Sequence, residues 1–233
     1  MTNFLFIHGA SHGAWCWDDV IKELHLRGHR AYAIDLPGHG MDQTPRSKVN
    51  RSSYISAVSN FIDDNQLKEV TLIGHSLAGA ILPEVVQQKS QEINTVIFLA
   101  ALVLNIDEAP IDLFPPERKV ILSTMAAKSE DGTFILDFQS ARDRYFSDLP
   151  EEAALKAYSK LTPQPYVVYT EASSIDPQMP DKSVKYIICT GDKTLSKEVC
   201  LHSCNKLRIQ PIELNTGHDP MLSAPRVLID LIL

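Results

Sequence analysis

The stretch "VTLIGHSLAG", residues 70–79, is an apolar run that ends abruptly on a histidine, a serine and small residues. Its first four residues are apolar or β-branched without alternation, which is typical of a strand covered on both faces in a parallel sheet. Beyond residue 79 the apolar residues fall at helical spacing, so the chain is predicted to turn from strand to helix within about four residues. Ser76 lies at that turn.

A serine on a tight strand-to-helix turn is typical of a nucleophile elbow, where a strained backbone raises the hydroxyl above the carboxyl edge of the sheet. The residues two before and two after it are expected to approach each other closely and to be small, and here they are Gly74 and Ala78. The usual pattern, G-x-S-x-G, has glycine at the second of these positions. The alternative interpretation is a serine that only caps the following helix.

Strand and helix patterns alternate along the chain. Strands are predicted at residues 4–7, 31–36, 70–73, 95–100, 185–190 and 209–214, and helices at residues 17–27, 52–65, 77–88, 196–207 and 223–233. This alternation predicts an α/β fold with a mostly parallel, doubly wound sheet. A ligand site in such a sheet is expected at the carboxyl ends of the strands, where Ser76 lies.

The alternation breaks once, between the fourth and fifth predicted strands. We expect residues 1–102 and 184–233 to form one core, and residues 103–183 to form an inserted cap of short helices with one small hairpin. This segment is too rich in large apolar residues for a linker, because those side chains must be buried. They would be buried either against the strand ends or in a small core of the insertion itself.

Composition excludes several classes of protein. The 233 residues are 44% hydrophobic and carry a net charge of −7 without blocks of like sign, which predicts one globular domain and no nucleic-acid partner. No apolar stretch approaches the ~18 residues of a membrane span, and no signal peptide precedes the first strand, so no membrane partner is expected. The four scattered cysteines are expected to be reduced and the protein to be cytoplasmic.

Two further residues have the chemistry that a serine nucleophile needs. Asp192 follows the strand pattern "KYIICTG", and His218 follows the last predicted strand in "NTGHDP". The chain order Ser76, Asp192, His218 is that of α/β-hydrolases. We therefore expect His218 to act as a general base with a pKa near ~6.5 and Asp192 to orient its ring.

Backbone amides are expected to supply the oxyanion hole. The small-residue loop "HGASHGA" follows the first strand, so the amide of Ala10 could face that of Leu77, the residue after the nucleophile. Each donor of this kind can contribute on the order of ~3 kcal/mol to transition-state stabilisation. This chemistry needs no metal and no other cofactor, and none is predicted.

Other histidines and acids near these motifs have simpler interpretations. His8 and His12 lie four residues apart, but no third metal ligand is evident. His75 is expected to pack or to form a hydrogen bond. Asp219 is interpreted as a turn residue rather than the triad acid, because an immediate neighbour of His218 could hardly support its ring.

These motifs resemble those of the plant-type methylesterase and hydroxynitrile lyase group of α/β-hydrolases, which includes salicylate-binding methyl ester hydrolases and bacterial relatives. The resemblance is carried by "FLFIHGASHGAWCW", "AIDLPGHGMD", "VTLIGHSLAGA", "VIFLAAL", "YIICTGDKTL" and "NTGHDPML". It implies an α/β-hydrolase core with a helical cap, the triad Ser76, Asp192 and His218, and oxyanion donors at Ala10 and Leu77. The likeness is weaker in the insertion, so the resemblance implies no particular substrate.

The expected activity is cleavage of a small-molecule carboxylic ester through an acyl-enzyme on Ser76, by a monomer or homodimer. One alternative is a hydroxynitrile lyase and another is a non-catalytic ligand-binding protein on the same scaffold. In the plant lyases that the chain resembles, threonine follows the first-strand histidine and lysine follows the catalytic histidine. Here those positions are Gly9 and Asp219, which favours ester hydrolysis.

Overall fold

The computed structural model describes residues 2–233 and contains a six-stranded parallel sheet at its centre. The strands of this sheet are β1 (Asn3–Ile7), β2 (Arg30–Ile34), β3 (Val70–His75), β4 (Ile93–Leu99), β7 (Ser183–Cys189) and β8 (Ile212–Leu214), with β5 (Thr133–Phe134) and β6 (Gln164–Pro165) outside it. Their spatial order is β2-β1-β3-β4-β7-β8. The predicted α/β class and parallel sheet are confirmed.

Helices cover both faces of the sheet. They are α1 (Asp18–Leu26), α2 (Arg51–Asp64), α3 (Leu82–Gln88), α8 (Lys197–Leu207), α9 (Pro220–Ser223) and α10 (Pro225–Ile232). Side chains from α1 and α10 pack with Phe4 and Phe6 on one face, whereas those from α2, α3 and α8 pack on the face of Leu5 and Ile7. Successive residues of β1 thus point to opposite faces, which explains why its sequence is apolar without alternation.

The chain between β4 and β7 forms the insertion. It contains α4 (Pro116–Ala127), α5 (Phe138–Arg144), α6 (Glu151–Tyr158) and α7 (Val167–Thr170), together with β5 and β6. The prediction of a small hairpin is wrong. Strands β5 and β6 do pair antiparallel, but α5 and α6 lie between them in the chain, so no short turn joins the two strands. Packing partners separated by two helices leave no tight-turn signature in the sequence.

The apolar residues of the insertion are buried in two places. Phe146 belongs to a separate cluster formed by α5, α6 and their loops. Phe134 and Tyr169 instead join the main core of the sheet. Each of the two burial schemes considered for the insertion therefore applies to part of it.

Several helix and strand bounds differ from the sequence prediction because of proline. The final helix is divided into α9 and α10 because Ala224, which precedes Pro225, has a φ of −145° and leaves the helical region. The last strand begins at Ile212 rather than residue 209, and Pro211 before it has no N–H to donate to a sheet. The turn after β3 is a 3₁₀ helix, Ser76–Ile81, before α3 begins.

Two smaller observations concern the chain as a whole. The cysteines Cys16, Cys189, Cys200 and Cys204 are all buried and unpaired, as expected. Within residues 2–233, no helix has both the length and the apolar character needed to cross a bilayer.

Candidate active site

Ser76 occupies a strained turn at the end of β3. Its φ is +54°, in the left-handed region that residues other than glycine seldom adopt. Its carbonyl oxygen accepts a hydrogen bond of 3.0 Å from the amide of Leu102, which follows β4. The strain expected of the elbow is present, and a neighbouring strand end helps to hold it.

Small residues are needed around the elbow, but not for the contact that the sequence suggested. A Cβ on Gly74 would lie 2.8 Å from the side chain of Leu82 in α3, not against Ala78. A Cβ on Gly79 would lie 2.7 Å from the Cβ of Ala101. The close approach of the chain after β4 therefore requires glycine at position 79, which is one position later than the second glycine of the usual motif.

The three predicted residues Ser76, His218 and Asp192 meet at the carboxyl edge of the sheet. Ser76 Oγ lies 3.0 Å from His218 Nε2, and His218 Nδ1 lies 2.7 Å from Asp192 Oδ2. The other oxygen of Asp192 accepts hydrogen bonds from the amides of Thr194 and Leu195 at 2.6 and 3.0 Å. These bonds fix the carboxylate in the plane where it can orient the imidazole.

The side chains of His218 and Asp192 are each only 1% exposed. Burial lowers the pKa of His218, but the charge and the hydrogen bond of Asp192, with the charge of Asp219, outweigh burial and raise it above its ordinary value. The expectation of an unperturbed pKa is therefore wrong. A more basic ring accepts a proton from a serine hydroxyl more readily.

Two backbone amides lie beside Ser76 with no bond inside the protein to occupy them. In the part of the chain that the structure describes, the Ala10 amide donates to no protein acceptor. Leu77 is the second residue of the 3₁₀ turn, where an amide lacks a partner within its own helix. Gly9 allows the loop of Ala10 to come close, since a Cβ there would lie 2.8 Å from the Cβ of Ser76.

A second buried carboxylate, Asp219, lies close to this site, and its partners were not predicted from the sequence. Its Oδ2 lies 3.0 Å from Nε2 of His12, and its Oδ1 lies 3.5 Å from Nε2 of His75. Nδ1 of His12 lies 2.8 Å from the carbonyl oxygen of Ala10. The two ring nitrogens of His12 thus connect the Asp219 carboxylate with the backbone of the Ala10 loop.

Asp219 is fully buried, yet it is held in its charged form. Burial raises its pKa, but the charge and the hydrogen bond of His12, the largest of the opposing causes, outweigh burial and lower the pKa. The interpretation of Asp219 as a turn residue was incomplete. His12 and Asp219 lie 207 residues apart in the chain, and neither motif shows that they meet.

His75 supports the backbone of the same loop. Its Nε2 donates to the carbonyl oxygen of His218 at 2.9 Å. Burial, and next the charge of His218, hold the pKa of His75 well below its ordinary value, so its ring is neutral. The ligand atoms of His75, His218 and Asp219 lie within 4.8 Å of one another, as in some metal sites. Both nitrogens of His218, however, already face Ser76 and Asp192.

Residues of the insertion close the pocket over Ser76. Its wall from the insertion consists of Phe114, Arg118, Tyr145 and Tyr169. The ring of Tyr145 stacks on that of His218, with 5.9 Å between centroids. Sequence reasoning named none of these side chains as site residues, since only the tertiary packing of the insertion brings them to the sheet edge.

Comparison with known proteins places this geometry in context. The sequence pattern of the alpha/beta hydrolase family matches residues 4–231. Methylesterase 10 of Arabidopsis thaliana is 25% identical over 100% of this chain and 90% of its own length. The putative chloroplastic methylesterase 15 of the same plant is 23% identical, and the alignment covers 97% of this chain and 54% of the relative.

Solved structures share the fold along the whole chain. An extracellular alpha/beta-hydrolase from a Paenibacillus species, reported to share structural and functional homology with tobacco salicylic acid binding protein 2, has a TM-score of 0.92, with 24% identity over 100% of this chain and 98% of that one. A methylesterase from Arabidopsis has a TM-score of 0.83, with 22% identity over 100% and 97%. A pyrethroid hydrolase has a TM-score of 0.80, with 24% identity over 100% and 96%.

Proposed function

Because the chain belongs to the alpha/beta hydrolase family, we propose that it is a serine hydrolase that cleaves small carboxylic esters through an acyl-enzyme on Ser76. The observation that carries this proposal is the continuous hydrogen-bonded path from Ser76 Oγ through the His218 ring to Asp192, with distances of 3.0 and 2.7 Å. The methylesterase names of a curated relative and of a structural relative support the same chemistry.

The proposed first half-reaction forms the acyl-enzyme. His218 Nε2 takes the proton of Ser76 as Oγ attacks the ester carbonyl, and Asp192 stabilises the imidazolium that results. The amides of Ala10 and Leu77 stabilise the oxyanion of the tetrahedral intermediate. When the C–O bond to the alcohol breaks, His218 returns the proton to the leaving oxygen.

Water completes the reaction on the same groups. His218 takes a proton from water, whose oxygen attacks the acyl carbon, and the bond to Ser76 Oγ then breaks as His218 returns the proton to it. The products are one carboxylic acid and one alcohol, and Ser76 is regenerated. Every proton in this cycle moves through the one ring that Asp192 orients.

We further propose that residues 103–183 act as a cap over this site. The support is the contribution of Phe114, Arg118, Tyr145 and Tyr169 to the pocket wall. A cap of this kind selects substrates by shape and charge and limits access of water to the acyl-enzyme. The substrate preference of the enzyme would then reside in the insertion.

We also propose a cytoplasmic location, on the ground that all four cysteines are unpaired. Separation of cell fractions with an antibody against the protein tests this directly. Recovery of the protein from culture medium, the behaviour expected of the extracellular Paenibacillus relative, would contradict it.

The first test is turnover of short 4-nitrophenyl esters by the purified protein. The intact chain should hydrolyse them well above background, and Ser76→Ala should lower kcat by about 10³-fold or more, because the nucleophile is lost. The matched control is Ser203→Ala in α8, which removes a buried hydroxyl that has no hydrogen-bond partner among the described residues. This variant should retain activity.

The same preparation separates the alternatives. Mandelonitrile should release no cyanide above the uncatalysed rate. Cyanide release that is lost in Ser76→Ala, without ester turnover, would make the protein a hydroxynitrile lyase. Binding of ester ligands without turnover of any kind would instead indicate a ligand-binding protein on a hydrolase scaffold.

A further inference from the structure

Arg118 lies on α4 and forms part of the wall between two cavities. One is the pocket over Ser76, and the other is an outer groove on the protein surface. Phe114, Thr194 and Leu195 line both cavities as well. The side chain of Arg118 thus borders both the pocket over Ser76 and the outer groove.

The guanidinium is anchored without being neutralised. Its Nη1 donates to the carbonyl oxygen of Thr194 at 2.7 Å, and its central carbon lies 4.0 Å from the centroid of the Phe114 ring. Across residues 2–233, no carboxylate oxygen lies within 4.0 Å of it. Burial lowers the pKa of Arg118, but a guanidinium keeps its charge throughout the physiological range.

Two phenol groups in the same pocket are also available as donors. The hydroxyls of Tyr145 and Tyr169 form no hydrogen bond with any residue that the structure describes, and both side chains line the pocket. Burial is the main cause that raises the pKa of each phenol, so both keep their protons. Such hydroxyls and a guanidinium together favour an anionic acceptor in the pocket.

The outer groove adds positive charge. Arg144 and Lys193 line it beside Arg118, and neither has a carboxylate within 4.0 Å in the described part of the chain. Of the two acids in the groove, Asp192 is bonded to His218 and to two amides, while Glu117 is exposed. The groove is therefore lined by three cations that have no carboxylate partner among the described residues, although the chain as a whole has a net charge of −7.

We propose that the natural substrate is an ester whose acyl part carries a second, free carboxylate, which Arg118 binds by an ion pair. The substrate class is the half-ester of a dicarboxylic acid. This inference rests on the proposed esterase activity and adds the chemical class of the substrate. Hydrolysis consumes the half-ester and water and yields the dicarboxylate, the alcohol and one proton, and the bound carboxylate takes no part in the bond changes.

Kinetics with matched esters tests the proposal. The probes are monomethyl esters of linear dicarboxylic acids of increasing length, each compared with the methyl ester in which an isopropyl group replaces the free carboxylate. For at least one length, kcat/KM for the half-ester should exceed that for its neutral partner by about 10-fold or more, as a desolvated ion pair permits. In Arg118→Met this ratio should fall by about 10-fold, and Arg118→Lys should restore part of it.

A neighbouring cation provides the control. Lys119→Met removes one positive charge from the same helix, but Lys119 pairs with Asp112 at 3.6 Å and lines neither cavity. The ratio should be unchanged in this variant. Thermal unfolding of all variants checks that Arg118→Met remains folded.

The outcomes distinguish the substrate class from the activity itself. Turnover of neutral esters with no preference for any half-ester, or a preference that survives Arg118→Met, would overturn the substrate class and leave the esterase intact. Titration calorimetry of the half-esters with Ser76→Ala measures binding without turnover. If Ser76→Ala binds a half-ester and Ser76→Ala/Arg118→Met binds it more weakly, the anion site is supported. This conclusion would hold even if the intact protein hydrolysed no ester, because the absence of hydrolysis would refute only the esterase activity.

Discussion

Two buried carboxylates lie near His218, and they differ in what they contact. Asp192, in the loop after β7, faces Nδ1 of the imidazole ring at 2.7 Å. Asp219 instead pairs with His12 at 3.0 Å, and His12 contacts the carbonyl oxygen of Ala10. Both are within reach of the same histidine, so burial and proximity alone do not identify the acid that supports catalysis. The acid that supports catalysis is identified by the atom that its carboxylate faces.

The comparison also separates two ways of holding a catalytic residue. The ring of His218 is oriented by Asp192, whereas its backbone is held by the hydrogen bond from His75 to its carbonyl oxygen. Asp219 joins the loop of His218 to the loop after the first strand through His12. Asp192 sets the tautomer of the His218 ring, whereas His75 and the pair of His12 and Asp219 set the position of the loop that carries His218.

Of the substitutions that test the different roles of the two carboxylates, Asp192→Asn is expected to have the largest effect. An amide in place of the carboxylate can present an N–H to the ring and favour the wrong tautomer, so kcat should fall by about 10³-fold or more. The matched variant Asp219→Asn removes an equally buried charge and should change kcat by less than about 10-fold, because Asp219 forms no hydrogen bond with the ring. Steady-state kinetics on both proteins checks this order, and equal losses would refute the division of roles.

A smaller effect is expected in the pH dependence. The profile of kcat/KM should rise with pH through a pKa above ~6.5, because Asp192 and Asp219 raise the pKa of His218. Asp219→Asn removes one of these negative charges and should move the midpoint to lower pH. A midpoint at or below ~6.5 in the intact protein, or one that Asp219→Asn does not move, would contradict this account.

The same groups give the sign of the stability change with pH. The folded-state pKa of Asp219 is lowered, so its contribution to the free energy of unfolding is present above the ordinary carboxyl pKa and is lost as the pH falls below it. The pKa of His218 is raised, so its contribution is present below ~6.5 and is lost as the pH rises through the folded-state value. The free energy of unfolding, measured with urea, should therefore fall less on acidification in Asp219→Asn than in the intact protein.

Much of the fold and the three residues at the sheet edge could be predicted because their signals are local. Apolar runs mark the strands, and in a parallel sheet the residues that follow the strands share one edge. This rule alone brings Ser76, Asp192 and His218 into one region, and the chain order adds the assignment of roles. The structure places all three within hydrogen-bond distance of their neighbours in the path.

What could not be predicted depends on contacts between distant parts of the chain. The pair of His12 and Asp219 spans 207 residues, and each residue alone has an ordinary local interpretation. The position of Arg118 follows from how the insertion folds back on the sheet, which no short motif encodes. The pKa of His218 differs from the expected value mainly because of the charge and the hydrogen bond of Asp192, whose distance from the ring the sequence does not give, and next because of the charge of Asp219.

The most direct test of the central claim is identification of the residue that forms a covalent adduct with a fluorophosphonate. This reagent reacts with an activated serine and yields a stable analogue of the acyl-enzyme. The account predicts one adduct per chain, located by peptide mass spectrometry at Ser76, with loss of esterase activity in proportion to labelling and much slower labelling of His218→Ala. Complete inhibition with the adduct on another residue, or full activity after Ser76 has been modified, would contradict it.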